Sequence, residues 1–274
     1  MLLLLSKEKE SNYYVVTSTP SINYYKKNII TLFMKVLISK KKGDIYYYRE
    51  GDFHCKEGTI KAEEIEKGKG TVKANTNREF LIFDANIYDY SQKLKRGPQL
   101  VTTKDLGYIV ARTRFDKNSY VVEAGGGSGA ATCFFAQYAK RVDTYEIESE
   151  NIRIIEKNIK MMQIDNVNLL HKDLGEDIEE LKGIDLLFLD LPEPVFILKK
   201  EKNSVKSGAF IVCYLPSISQ IQELTNYTKE REDYYVEEIS EVGVRHWKVF
   251  GRVSRPNFRR EIDHTAFLVF IRKI

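Results

Sequence analysis

The spacing of apolar positions changes character partway along the chain. From residue 34 to about residue 85 the apolar residues come in short β-branched and aromatic runs, "DIYYYRE", "TVKAN" and "EFLIFDA". Glycines at 43, 51, 58, 68 and 70 punctuate those runs, the pattern of short strands joined by tight turns. This predicts a small antiparallel β-domain over residues 34–90. A joining segment follows, "NIYDYSQKLKRGPQLVTTKDLGYIVARTRF", with its second part read as helix.

From residue 119 strands and helices alternate. "YVVEAG" reads as a buried strand, "GAATCFFAQYAK" as a helix with Ala130, Phe134 and Tyr138 on one face, and "RVDTYEI" as a strand. "ENIRIIEKNIKMM" places Ile152, Ile155 and Ile159 at helical spacing. "NVNLLHKD", "IDLLFLDLP" and "AFIVCYLP" are further strands, and "SISQIQELTNYTKERE" a further helix. Such alternation predicts an α/β domain over residues 91–274, with a mainly parallel Rossmann-like sheet covered on both faces. The last two strand-like stretches, "VRHWKVFGRVSRP" and "HTAFLVFIRKI", are expected to close the sheet edge as an antiparallel hairpin.

The first 33 residues fit neither domain. "MLLLLSKEKESNYY" has four leucines with no basic residue before them, which does not make a signal peptide. The stretch after it has no clear period, whereas Met34 opens "MKVLISKKKGDIYYY". Residues 1–33 are therefore expected to be a disordered or dispensable extension, with Met34 as the natural start.

Composition narrows the class. The chain has 274 residues, 43% of them hydrophobic, enough for a sizeable core. Its net charge of +4, from 43 basic and 39 acidic residues, is compatible with a nucleic-acid partner without demanding one. Cys55, Cys133 and Cys213 lie far apart and are odd in number, which reads as free thiols in a reducing cytoplasm. No apolar run reaches the length of a membrane span.

The chemistry concentrates in "YVVEAGGGSGA". Gly125, Gly127 and Ala130 fit a dinucleotide-binding fingerprint between a strand and a helix. A nicotinamide oxidoreductase would place a pyrophosphate there, beside Glu123, at an electrostatic cost. S-adenosylmethionine has no phosphate and carries a sulfonium and an amine, so an acidic strand end suits it. Three more acids close successive strands. Glu146 is placed to accept from ribose hydroxyls, Asp173 from an adenine amino group, and Asp190 ends the fourth strand. Open α/β sheets bind ligands at these carboxyl ends. The ordered set points to a methyl-donor loop.

Read together with "KRGPQLVTTKD", "LDLPEPV", "YLPSISQ", "RHWKV" and "DHTAFLVFIRK", the chain from about residue 44 onward resembles the tRNA (adenine-58-N1) methyltransferases of bacteria and archaea. That resemblance implies a class I methyltransferase domain after a small β-domain, S-adenosylmethionine as cofactor, tRNA as substrate and a cytoplasmic homotetramer. It implies cofactor contacts at Gln99, Glu123, Gly125, Gly126, Gly127, Ser128, Gly129, Glu146 and Asp173, with Asp190 between cofactor and target base. Two positions depart from the family pattern: Thr102 stands where Tyr or His is common, and Val195 where Trp is.

Methyl transfer to adenine N1 needs no base, because N1 has its own lone pair. Alignment and charge are what a protein can add. Asp190 is assigned to accept from the exocyclic N6, which stabilises the growing positive charge and selects adenine over guanine. A base buried in folded tRNA must be turned out to react, and Tyr214 is the candidate wall for it, or else a core tyrosine. Arg245 and Trp247, flanking His246, are expected on one face of a strand. Arg252, Arg255, Arg259 and Arg260, with Phe258 among them, suit RNA contacts. His54, His171 and His264 lack metal-ligand spacing, and no metal is implied. The rival readings are a methyltransferase of a small molecule such as a corrin precursor, and a non-catalytic tRNA-binding subunit, whose glycine loop should have decayed.

Overall fold

The computed structural model describes residues 34–95, 97, 100–257 and 264–274. The extension assigned to residues 1–33 lies outside the described residues, as do Gln99, Phe258, Arg259 and Arg260. No helix among the described residues is long and apolar enough to cross a membrane.

The first sheet is built from β1 (Lys35–Ser39), β2 (Ile45–Tyr48), β5 (Gly70–Lys73) and β6 (Glu79–Asp84), ordered β2-β1-β6-β5 and antiparallel throughout. A two-stranded ribbon, β3 (Phe53–Cys55) with β4 (Gly58–Ile60), and a short helix α1 (Ala62–Lys67) lie between its halves in sequence. Period-two alternation buries Leu37, Phe80 and Ile82 on one face, where Ile60 and Ile65 join them. Tyr46, Phe53 and Phe80 meet edge to face. Helices α2 (Ile87–Ser91) and α3 (Thr103–Thr113) then lead into the second sheet. A capping box formed by Asn86 and Asp89 starts α2.

The second sheet has seven strands. In chain order they are β7 (Tyr120–Ala124), β8 (Arg141–Glu146), β9 (Val167–His171), β10 (Ile184–Leu189), β11 (Val205–Leu215), β12 (Tyr234–Ser240) and β15 (Phe267–Lys273). Their spatial order is β12-β15-β11-β10-β7-β8-β9. The five strands from β9 to β11 are parallel, and β15 runs antiparallel between β11 and β12. Alternate residues of the central strands feed two cores. Leu187, Leu189, Ile211 and Cys213 meet α6 (Leu174–Asp177), α7 (Pro194–Lys200) and α8 (Ile218–Lys229). Phe188, Val212 and Phe270 meet α3 and α4 (Ala130–Phe135). The chain leaves β7 toward β8 on one side and returns to β10 on the other. The switch point, where open sheets bind ligands, therefore lies between the carboxyl ends of β7 and β10.

Three local expectations change. The helix after the glycine loop stops at Phe135, and Tyr138 lies beyond it. In α5 (Ser149–Met162) the fully buried positions are Ile155 and Asn158, with Ile152 and Ile159 half-buried. The strand that pairs with the C-terminal one is β12 rather than "VRHWKVFGRVSRP". That stretch folds on itself as β13 (Trp247–Phe250) and β14 (Val253–Pro256), a separate two-stranded ribbon. The β12 sequence hides its period because the register slips between Val236 and Glu238, placing two consecutive glutamates on an edge strand. Arg112 and Arg272 hold them there.

Candidate active site at the sheet switch point

The glycine loop is pressed against its neighbours. Gly125 has φ +84°, and a Cβ on it would stand 2.1 Å from the carbonyl oxygen of Asp190. That contact is possible only for glycine, since it combines a left-handed backbone with direct approach of a second strand end. A Cβ on Gly126 would meet Thr144 at 2.7 Å and Ile155 at 2.8 Å. The amides of Gly125 and Gly126 donate to the Tyr145 carbonyl, and the Asp190 amide donates to Ala124. Ser128 is buried, and its carbonyl accepts from Asn158 Nδ2 at 2.8 Å. Asn158 also exchanges two hydrogen bonds with the backbone of Lys95, tying the loop to the segment that precedes Gln99. Sequence reasoning missed Asn158. A polar residue at a core position of an amphipathic helix was the available signal.

Four acids close the four neighbouring strands. Glu123 is 1% exposed beneath the loop, and its Oε2 accepts the hydroxyls of Thr132 (2.6 Å) and Thr144 (2.9 Å). Burial pushes its carboxyl up to about 8, with the charges of Asp190 and Glu146 adding to the rise against the two hydroxyl donors. Glu146 accepts the amide of Gly127 at 2.7 Å on one oxygen and that of Glu148 at 2.9 Å on the other, so loop and carboxylate fix each other. Asp173 is exposed and caps α6 through the Gly175 amide at 2.7 Å. Asp190 is half-buried, and burial followed by the charge of Glu146 raises its carboxyl to about 7. Three acids crowded around a glycine loop whose own amides are spent on Tyr145, Glu146 and Gly126 favour a ligand that carries positive charge and disfavour a pyrophosphate.

On the other side of Asp190 lies a polar cluster that sequence reasoning did not assemble. Register pairs Leu189 with Cys213, so Asp190 stands beside Tyr214 at the end of β11. Tyr214 is only 6% exposed, and its hydroxyl donates to Asp105 Oδ2 at 3.1 Å. Burial, with Asp105 next, pushes its phenol above the ordinary range. Asp105 is fully buried and accepts the hydroxyls of Thr102 (2.8 Å) and Thr265 (2.9 Å) and the ammonium of Lys104 (2.8 Å). The departing residue Thr102 thus serves the network rather than presenting a ring. His264 bonds Glu241 and the Pro216 carbonyl at the rim of the same strand ends. Val195, the second departure, is a buried residue of the first turn of α7, packed into the core.

Of the remaining site residues, Trp247, Arg252 and Arg255 lie on the ribbon. Arg245 precedes β13 rather than sharing a strand with Trp247. Arg252 and Arg255 are exposed, and so are Trp247 (58%), Val249 (72%) and Phe250 (79%). Gln99, Arg259 and Arg260 lie outside the described residues.

A parallel sheet closed by one antiparallel strand, with an acid-flanked glycine loop at its switch point, defines a Rossmann-like class I methyltransferase. Residues 88–257 match the family model described as tRNA methyltransferase complex GCD14 subunit, and the chain belongs to that family. It is 32% identical over 247 residues to the tRNA (adenine(58)-N(1))-methyltransferase TrmI of Thermus thermophilus, covering 87% of this chain and 96% of the relative. It is 27% identical over 273 residues to the tRNA (adenine(57)-N(1)/adenine(58)-N(1))-methyltransferase TrmI of Methanocaldococcus jannaschii, covering 88% and 95%. The crystal structure of tRNA (m1A58) methyltransferase TrmI from Aquifex aeolicus superposes with a TM-score of 0.74 at 26% identity, covering 88% of this chain and 96% of that one.

Proposed function

We propose that the protein transfers a methyl group from S-adenosylmethionine to N1 of adenine 58 in tRNA, with position 57 as a second acceptor to be tested. The observation that carries this reading is the placement of Asp190. Its backbone seals the glycine loop through Ala124 and Gly125, while its carboxyl lies between Glu146 on one side and Tyr214 on the other.

The crevice at the strand ends suits the cofactor by its acidic residues and by the close backbone approach its glycines allow. Gly125, Gly126, Gly127, Ser128 and Gly129 form the floor, Glu146 faces the ribose and Asp173 the adenine. Glu123, held below the loop by Thr132 and Thr144, keeps its proton at neutral pH and supports the loop from below. Gln99 is assigned to the cofactor by family resemblance. When bound, the cofactor supplies an electrophilic methyl on a sulfonium. Asp190 accepts a hydrogen bond from the target's N6 and offsets the positive charge that grows on the ring. Guanine presents an oxygen at that place and would be repelled. Tyr214 acts through its neighbours: its hydroxyl is committed to Asp105, so its edge rather than its polar tip bounds the acceptor side.

Arg245, Arg252, Arg255, Arg259 and Arg260 are read as contacts to RNA phosphates, with Trp247 at the base of the ribbon. The exposed Val249, Phe250 and Val253 form an apolar tip of the kind that another subunit covers, in keeping with a homotetramer. The small-molecule reading gains no support from the ribbon or the first sheet. The proposed enzyme works in the cytoplasm, where its tRNA substrate and reduced thiols are found.

The test is tritiated methyl transfer to unmodified tRNA transcripts carrying adenine or guanine at the target position. Label recovered as 1-methyladenine only with adenine is the expected result, and Asp190→Ala should abolish it. No label on either transcript despite cofactor binding would overturn the assignment.

A further inference from the structure

A cleft of about 880 Å3 opens between the first sheet and helices α3 and α4. Its walls carry the rings of Tyr47, Tyr88 and Phe134, and Lys104 and His246 are its basic residues. No Asp or Glu lines it among the described residues. The Lys104 side chain is 13% exposed, and its ammonium donates to Asp105 Oδ1 at 2.8 Å and to Thr265 Oγ1 at 2.7 Å. An ammonium has three N–H donors. The third has no protein acceptor among the described residues. Asp105 lies wholly buried beneath and also takes the hydroxyls of Thr102, Tyr214 and Thr265. The lysine is thereby held from two directions at the wall of the cleft. The cluster runs on through Tyr214 to Asp190, which stands beside it in register.

We propose that Lys104 binds a backbone phosphate of the RNA strand that carries the target base, and that the cleft holds the nucleotide attached to that phosphate. This rests on the tRNA methyltransferase reading of the same site and extends it to a specific anchor. Charge separates the two ligands. The carboxylates of Glu146 and Asp190 draw a cationic cofactor to the glycine loop. The cleft lacks carboxylates, offers ring faces on which bases stack, and presents an ammonium, which suits a polyanion. Asp105 and Thr265 are positioning residues for Lys104. Without them its four-carbon stem would sample many directions.

The test compares the wild-type enzyme with Lys104→Met and Lys104→Arg in steady-state tRNA methylation, with S-adenosylmethionine binding followed by calorimetry. Lys104→Met should raise KM for tRNA about 10-fold, as expected for one charge-assisted contact, with kcat and the cofactor Kd within about twofold. The dependence of log KM on log salt should flatten by about one charge. Lys104→Arg should recover part of the loss. Removing Lys104 alone strands a buried carboxylate, so the double variant Lys104→Met with Asp105→Asn supplies a neutral network that should fold, checked by thermal melting, with the same KM and salt signature. Unchanged KM and salt slope in a folded variant would overturn the proposal. A weakened cofactor Kd with unchanged KM for tRNA would also overturn it, assigning the ammonium to the cofactor's carboxylate. Wild-type enzyme that binds cofactor yet methylates no tRNA would instead defeat the underlying reading, and tRNA retention by gel shift would still report on Lys104.

Discussion

Replacing Glu123 by Gln isolates the electrostatic strain built into the methyl-donor loop. The carboxyl is 1% exposed and receives two threonine hydroxyls on one oxygen. A glutamine amide oxygen can accept both, so packing and hydrogen bonding are retained. Burial raises the native carboxyl from 4.5 to about 8. Between those values the folded protein holds a proton that the unfolded chain has released. Stability therefore falls as pH rises through this window and levels off above about 8. From about pH 6 to about pH 8.5 the single-site linkage is on the order of 2 to 3 kcal/mol, at about 1.4 kcal/mol per logarithmic unit. Urea unfolding of both proteins across that range should show the wild type losing roughly 2 to 3 kcal/mol relative to Glu123→Gln. Asp190 and Glu146 remain in both proteins, so the difference reports Glu123. Parallel stability curves would refute the reasoning, because they would mean that the buried carboxyl titrates as it does in water.

Other consequences follow from the same geometry. Gly125→Ala sets a Cβ 2.1 Å from the Asp190 carbonyl at φ +84°. It should cost at least about 2 kcal/mol in urea unfolding and weaken cofactor binding more than about 10-fold by calorimetry; near-normal values would show that the two strand ends can part freely. Asp190 must be ionised to accept from N6, and its carboxyl is raised to about 7. The rate kcat/KM should therefore climb with pH until about 7 and then level, and Asp190→Asn should abolish that limb along with most of the rate. Cys133 and Cys213 are 1% and 0% exposed, and burial pushes the Cys133 thiol up to about 12 and that of Cys213 higher still. Ellman's reagent should find one fast thiol, Cys55, in the native protein and all three in denaturant. Rapid reaction of a second thiol would show that the core under α4 or β11 opens.

The features readable from sequence were those with a short range. Period-two and period-3.6 patterns located the small sheet, the parallel strands and α5, because side-chain burial repeats with the backbone that carries it. The glycine loop and the acids Glu123, Glu146, Asp173 and Asp190 were readable for the same reason: each sits at a strand end that its own apolar run announces. Folding brought together what no local pattern records. Asp105 and Thr265 are 160 positions apart and share a hydrogen bond, while Asn158 reaches 30 positions back to the loop. Lys104 read as an ordinary residue, and Thr102 and Tyr214 were singled out for other reasons, until the carboxyl end of β11 and the start of β15 meet over α3. The closing strand was misplaced because a bulge in β12 breaks the alternation on which strand recognition depends. The raised carboxyls of Glu123 and Asp190 are likewise products of the fold, since desolvation and the approach of like charges exist only once separate strand ends share one crevice.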